Sequence, residues 1–384
     1  MEQPEMTAQK NSIESTPAKS GTRLFYIDNI RLLVIIFVVT VHIACMYSGI
    51  GNIFYYAETK KYSLLGLSYI MIQQAYFMGL LFLLAGYFVP GSYSKKGFGK
   101  FIGDRAVRLL IPTLIYMVIL MPIVKLVILG NPLSFSWRGF LTSYGVMWFA
   151  VALFIFSAIY AIVRKLSENS SATSNAMGIN LTTRKLWLLV LLIAFCAFAI
   201  RQVFPIGTAQ FGMELCYFAS YIILFVIGTY AKKHGLFSQI SYRSGKHWLI
   251  AGVIVGVLGY VVYLVAASLL SKLAGGNAHS GLMEISTALY AIWESFVAVA
   301  ICTGLLGVFK EKFNRQNKLV KAMSNSSFAV YVLHAPIIVG IAVLAAPITI
   351  PLFLKWLIMC VICVPLCFAV AWLIRKIPGA NKIL

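Results

Sequence analysis

Residues 28–42 read DNIRLLVIIFVVTVH, an acid, an arginine and a histidine on a run otherwise as apolar as lipid. The apolar part predicts a bilayer-crossing helix, because about 20 such residues at about 1.5 Å each cover about 30 Å of hydrocarbon. Runs of this kind recur along nearly the whole chain. The expected spans are 30–48, 69–90, 109–129, 146–164, 186–203, 214–231, 248–270, 286–308, 326–348 and 352–374. Over 384 residues the composition is 60% hydrophobic and 11% charged, with a mean hydropathy of +0.87, which excludes a soluble globular domain. The predicted fold is an all-α polytopic membrane protein, a single bundle of about ten transmembrane helices.

The chain carries 32 Lys and Arg against 11 Asp and Glu, a net charge of +21. With the N-terminus inside, Lys60, Lys61, Lys125, Arg138, Arg201, Lys272 and Lys355 alone fall outside the cytoplasmic segments. That bias predicts both termini in the cytoplasm. The basic surplus is then topological, and nucleic acid is not an expected partner. Residues 1–22 are polar and lack the apolar core of a signal peptide, so a disordered cytoplasmic tail is expected there. Residues 23–375 form one transmembrane domain containing a flexible Ser/Asn/Thr-rich cytoplasmic loop at 165–185, and 376–384 form a second cytoplasmic tail. Gly252 and Gly256 predict a close helix crossing. Cys360, Cys363 and Cys367 have no His or carboxylate nearby in sequence, so they are expected to pack between helices and no metal is expected.

The three polar groups of the opening stretch share a face. Eleven residues turn a helix about 1100°, which leaves Arg31 and His42 about 20° apart in azimuth and about 16 Å apart along the axis. Asp28 lies three residues before Arg31, on the same stripe. Such a stripe must face a cavity or the bundle interior, since lipid exposure costs several kcal/mol per group. One reading makes Asp28 and Arg31 interfacial anchors and His42 an interhelical hydrogen bonder. The other makes His42 a base, because histidine titrates near neutral pH. Asp28 lies about 21 Å from His42 along the axis, so any orienting partner must come from another helix.

Arg31 and His42, ten residues between them, resemble the Arg-x10-His signature of the acyltransferase-3 family of integral membrane acyltransferases. That family includes polysaccharide O-acetyltransferases and glucan succinyltransferases. YFMGLLFLLAGYF (76–88) is similar to its F-x-x-S-G-Y/F pattern, with Ala85 where serine is common. FIGDRAVRLLIP (101–112) matches R-x-x-R-L-x-x-P through Arg105, Arg108, Leu109 and Pro112. MWFAVALFIF (147–156) resembles W-F-L-x-x-L, and SSFAVYVLHAPI (326–337) resembles S-x-x-x-Y-x-x-H through Tyr331 and His334. The five patterns cover about residues 22–375.

The resemblance implies a transferase moving a small acyl group, acetyl or succinyl, from cytoplasmic acyl-CoA to a hydroxyl of an extracytoplasmic glycan or glycolipid. It implies an integral protein of a bacterial cytoplasmic membrane. Its oligomeric state is open. Arg31, Arg105 and Arg108 become candidates for the CoA phosphates, since guanidinium forks suit phosphate, and His42 becomes the candidate general base. His334 is either a carbonyl-polarising group or a structural tie, and shares a face with Tyr331, a candidate substrate contact. Glu294, a deeply placed carboxylate, either orients His42 or pairs with Arg201. Trp148 is either an interfacial aromatic or a wall of the acceptor site. Trp137 and the aromatics of NIFYYAE (52–58) suit sugar stacking or a membrane belt. The rival readings are a proton- or anion-coupled transporter using Arg31, His42 and Glu294, and a non-catalytic partner of a glycan-assembly machine.

Overall fold

A computed structural model describes residues 24–51, 55–130, 144–168, 179–275 and 281–384. Asn52–Phe54, Trp137 and Arg138, the 1–22 tail and residues 169–178 of the 165–185 loop lie outside the described residues. The longer helices are α1 (Phe25–Tyr47), α2 (Leu64–Gln74), α3 (Phe77–Ile115), α4 (Trp148–Glu168), α5 (Thr183–Val203) and α6 (Phe218–Ala231). They are followed by α7 (Tyr242–Leu273), α8 (Gly281–Lys312), α9 (Lys318–Ala345) and α10 (Leu352–Ile374). Among the described residues no strand forms, and the extended pairing is a single bridge between Gln210 and Met213.

All ten expected apolar segments fall on helix, yet eight helical stretches among the described residues are long and apolar enough to cross a membrane. The difference has two local causes. Segments 69–90 and 109–129 lie on one run, Leu64–Ile128, which leaves helical geometry at Gly97, where φ is 70° and ψ 174°. Only glycine takes that backbone conformation without strain. The sixth segment is the shorter apolar stretch Leu215–Ala231. Beyond Ile115 the rod continues with π-helical turns at Tyr116–Leu120 and Ile123–Ile128.

The connections sort into two ends. At the basic end the start of α1 is bolted to the α8–α9 connection: Asn29 Nδ2 donates to the carbonyls of Phe313 (2.6 Å) and Arg315 (3.0 Å), and the Tyr26 N–H donates to Asn314. Lys310 Nζ donates to the Ile240 (2.7 Å) and Ser238 (2.8 Å) carbonyls just before α7. At the opposite end Lys355, at the start of α10, pairs with Glu58 of the α1–α2 connection at 2.5 Å, and Tyr56 donates to the same carboxylate.

Burial ranks the helices. α8 and α1 are buried over most of their length, whereas α7 lies largely on the outside of the bundle. α1 packs on α9, α10, α2 and α8, and the three polar groups of its stripe, Asp28, Arg31 and His42, are each half-buried. Outward surfaces carry bare aliphatics such as Val262, Leu344 and Val361, the composition lipid-facing helices need.

Close crossings hold the bundle together. α3 crosses α6 at Gly86 and Gly228, where a Cβ on Gly86 would strike the Phe225 carbonyl and one on Gly228 the Leu83 carbonyl. α7 crosses α8 at Gly245 and Gly307, where a Cβ on either would lie 2.7–2.8 Å from the other's Cα. Gly252 belongs to this crossing, against Ala300 and Ile301, but a Cβ on Gly256 would meet nothing nearer than 3.7 Å. The expected Gly252–Gly256 crossing is thus built from Gly252 and Gly245. Gly86→Ala or Gly228→Ala is expected to lower stability by about 1–3 kcal/mol, while Gly256→Ala leaves thermal unfolding of the detergent-solubilised chain unchanged. Equal melting shifts at the two sites would contradict this account.

Candidate active site

The packing of α1 on α9 brings the two histidines together. His334 Nε2 lies 3.2 Å from His42 Nδ1, with ring centroids 4.9 Å apart. His334 Nδ1 lies 2.7 Å from the Tyr331 carbonyl, and His42 Nδ1 is also 2.8 Å from the Val38 carbonyl. A carbonyl oxygen only accepts, so in the neutral pair His334 carries its proton on Nδ1. Its Nε2 then accepts from His42, whose proton is likewise on Nδ1. The lone pair of His42 therefore lies on Nε2, the tautomer a general base needs. His334 is fully buried, with both ring nitrogens engaged.

A cavity of about 550 Å³ opens against this pair. α1 contributes His42 and Cys45, α2 Gln74, the π-helical continuation of α3 Lys125, α4 Trp148, and α9 Tyr331. Glu214 and Tyr217 enter from the connection between α5 and α6. Trp148 stacks on Tyr221, centroids 5.7 Å apart at 26°, and Gln74 Nε2 donates to the Tyr221 hydroxyl at 2.8 Å. Trp148 thus packs inward against Tyr221 and lines the cavity. The Tyr331 hydroxyl donates to the Val146 carbonyl at 2.5 Å, so its ring, with its proton committed, lines the cavity.

Of NIFYYAE, Tyr55 reaches the cavity and exchanges a 2.6 Å hydrogen bond with Tyr116. Burial pushes the Tyr55 hydroxyl up to about 12, so it stays a neutral donor. Burial also raises the Glu214 carboxyl above its ordinary value.

The arginines gather at the basic end. Arg31 faces Asp28 at 3.8 Å and lies over the Phe88 ring, 4.8 Å from its centroid. Arg105 lies over Phe101 and feels the charges of both Arg31 and Arg108. Three guanidinium groups from two helices therefore form one positive field, able to hold a polyanion. Arg31 is not part of the cavity lining, which on α1 begins at Val38.

Glu294 pairs with Arg201, both side chains fully buried. The Arg201 guanidinium lies between the rings of Tyr217 (5.6 Å) and Tyr290 (4.9 Å). Of its two readings, orienting His42 or pairing with Arg201, the structure shows the pair with Arg201 on α5, and Glu294 is not part of the cavity lining. Arg31, His42 and Glu294 thus sit in three separate settings: the basic end, the cavity wall and the buried pair with Arg201.

A family model described as an acyltransferase domain, Acyl_transf_3, matches residues 24–372. The chain belongs to the acyltransferase-3 family. No curated protein and no solved structure gives a match. This is accordingly a membrane acyltransferase. Sequence reasoning missed three polar groups of the acyltransferase's cavity, Gln74, Lys125 and Glu214. A signal for two of them was present: Lys125 and Glu214 belong to the few ionisable residues outside the basic segments.

Proposed function

We propose that the acyltransferase moves a small acyl group, acetyl or succinyl, from acyl-CoA to a hydroxyl of an extracytoplasmic glycan or glycolipid, with His42 as general base. The observation that carries this reading is the His42–His334 pair in the cavity wall, whose hydrogen bonds leave the lone pair on His42 Nε2. The acceptor hydroxyl gives its proton to Nε2 while its oxygen attacks the thioester carbonyl. The C–S bond then breaks and the leaving thiolate takes that proton back. His334 is a positioning residue, holding the His42 N–H and sharing the positive charge between the two steps.

Arg31, Arg105 and Arg108 are the residues proposed to hold the phosphates of acyl-CoA at the basic end. About 16 Å of α1 separates Arg31 from His42, about the reach of a pantetheine arm. Between them Leu32, Val34 and Ile35 are packed, so delivery of the acyl group requires their neighbourhood to open.

Purified chain with labelled acetyl-CoA or succinyl-CoA is expected to acylate a glycan or slowly hydrolyse the thioester. Uptake of an anionic solute into proteoliposomes, indifferent to CoA analogues, would sink the reading. Arg31→Ala and Arg105→Ala are each expected to raise KM for acyl-CoA about 10–100-fold, the range for a lost hydrogen bond to a charged group, with a small change in kcat.

A further inference from the structure

Four carboxylates of the bundle have cationic partners: Asp28 faces Arg31, Glu58 faces Lys355, Asp104 faces Lys96 and Glu294 faces Arg201. Glu214 differs. It is half-buried in the wall of the cavity that holds His42, and among the described residues its carboxylate makes neither an ion pair nor a hydrogen bond. Lys125 enters the same cavity without pairing to it.

The backbone of Glu214 is held from both sides. Before it, Gln210 and Met213 exchange backbone hydrogen bonds of 2.8 and 3.0 Å across a tight turn, with Phe211 and Gly212 at φ of 52° and 71°. The Tyr144 hydroxyl ties this turn to the start of α4 through the Phe211 carbonyl. After it, the Tyr217 N–H donates to the Glu214 carbonyl at 3.3 Å. A left-handed, non-glycine residue such as Phe211 persists where its surroundings enforce it, so the strain marks a turn held in one geometry.

A carboxylate fixed in a cavity wall, its oxygens not engaged by the described residues, is an acceptor for donors that enter the cavity. The remaining lining narrows the class. Trp148, Tyr217 and Tyr221 give the lining an aromatic character suited to the C–H face of a ring, and Gln74 adds an amide. Aromatic faces combined with a carboxylate and an amide suit a ring bearing several hydroxyls better than a simple alcohol.

We propose that Glu214 determines acceptor specificity, its carboxylate accepting hydrogen bonds from ring hydroxyls next to the one that His42 deprotonates. This rests on the reading of the cavity as the acceptor site.

The test uses full-length chain in nanodiscs and equilibrium dialysis of p-nitrophenyl glycosides of glucose, galactose, mannose and N-acetylglucosamine. Cyclohexyl p-nitrophenyl ether, the same outline without ring hydroxyls, is the reference. At least one glycoside is expected to bind the native chain tenfold or more tighter than the ether. Glu214→Gln is expected to cut that preference at least tenfold while still binding the ether, the scale of one hydrogen bond to a charged group. Glu214→Asp, which keeps the charge on a shorter arm, serves as the second variant and is expected to retain an intermediate preference.

The proposal is overturned if no glycoside outbinds the ether, if Glu214→Gln keeps the preference, or if p-nitrophenethylamine outbinds every glycoside tenfold. Labelled acyl-CoA in the same preparations separates this failure from that of the function. Glutamate-dependent glycoside binding without acyl transfer would sink the acyl-transfer reading alone. Acyl transfer to a glycoside at native rates in Glu214→Gln would sink the specificity role alone.

Discussion

Replacing His42 with alanine is expected to lower acyl transfer by about 10²–10⁴-fold, the range for losing a positioned general base. The fold should survive, because His42 borders a cavity and its removal leaves no buried charge behind. Its partner gives the assignment a finer check. His334→Ala removes an acceptor that, together with the Val38 carbonyl, holds the proton of His42 on Nδ1. A tautomer preference of about 1.4 kcal/mol corresponds to a tenfold population change, so kcat should fall roughly tenfold or more while KM for acyl-CoA is unaltered. His334→Gln, whose amide oxygen also accepts from His42, is expected to recover part of that loss. Steady-state kinetics on folded, monodisperse variants decides the matter. Native activity in His42→Ala, or a KM effect with unchanged kcat in His334→Ala, would remove the pair from the chemistry.

Glu294→Ala is expected to act on stability first, lowering it by about 3–5 kcal/mol. Arg201 would then be a fully buried cation with no counter-charge, and its Nε and Nη1 already lack hydrogen-bond partners among the described residues. The faces of Tyr217 and Tyr290 are its remaining support. Cation–π contacts return about 2 kcal/mol or more when desolvated, which offsets only part of the cost of an uncompensated charge. Removing both charges together, as Arg201→Leu with Glu294→Leu, should restore most of the lost stability, because an apolar pair carries no desolvation penalty. Thermal unfolding of the detergent-solubilised variants reads the effect. A Glu294→Ala chain that melts like the native protein yet transfers no acyl group would return Glu294 to the catalytic site. Because Tyr217 is both a neighbour of Arg201 and a wall of the cavity, a smaller loss of activity should accompany the loss of stability.

Sequence by itself determined the membrane-spanning, all-helical character of this protein, since run length and composition are local properties that bilayer thickness converts directly into spans. It determined that Arg31 and His42 share one face of α1, because helical periodicity relates residues of one rod without reference to any other. It also showed that His42 needs a partner from elsewhere. Which partner was a tertiary question: His42 and His334 are 292 residues apart, and Arg201 and Glu294 are 93 apart. No periodicity encodes such pairings; they follow from which helices cross, and the crossings depend on where small residues let backbones approach, as at Gly86 and Gly228. The same limit hid Glu214. It sits on a connection, where no repeat predicts direction, and the turn at Phe211 and Gly212 is what brings it to the cavity wall.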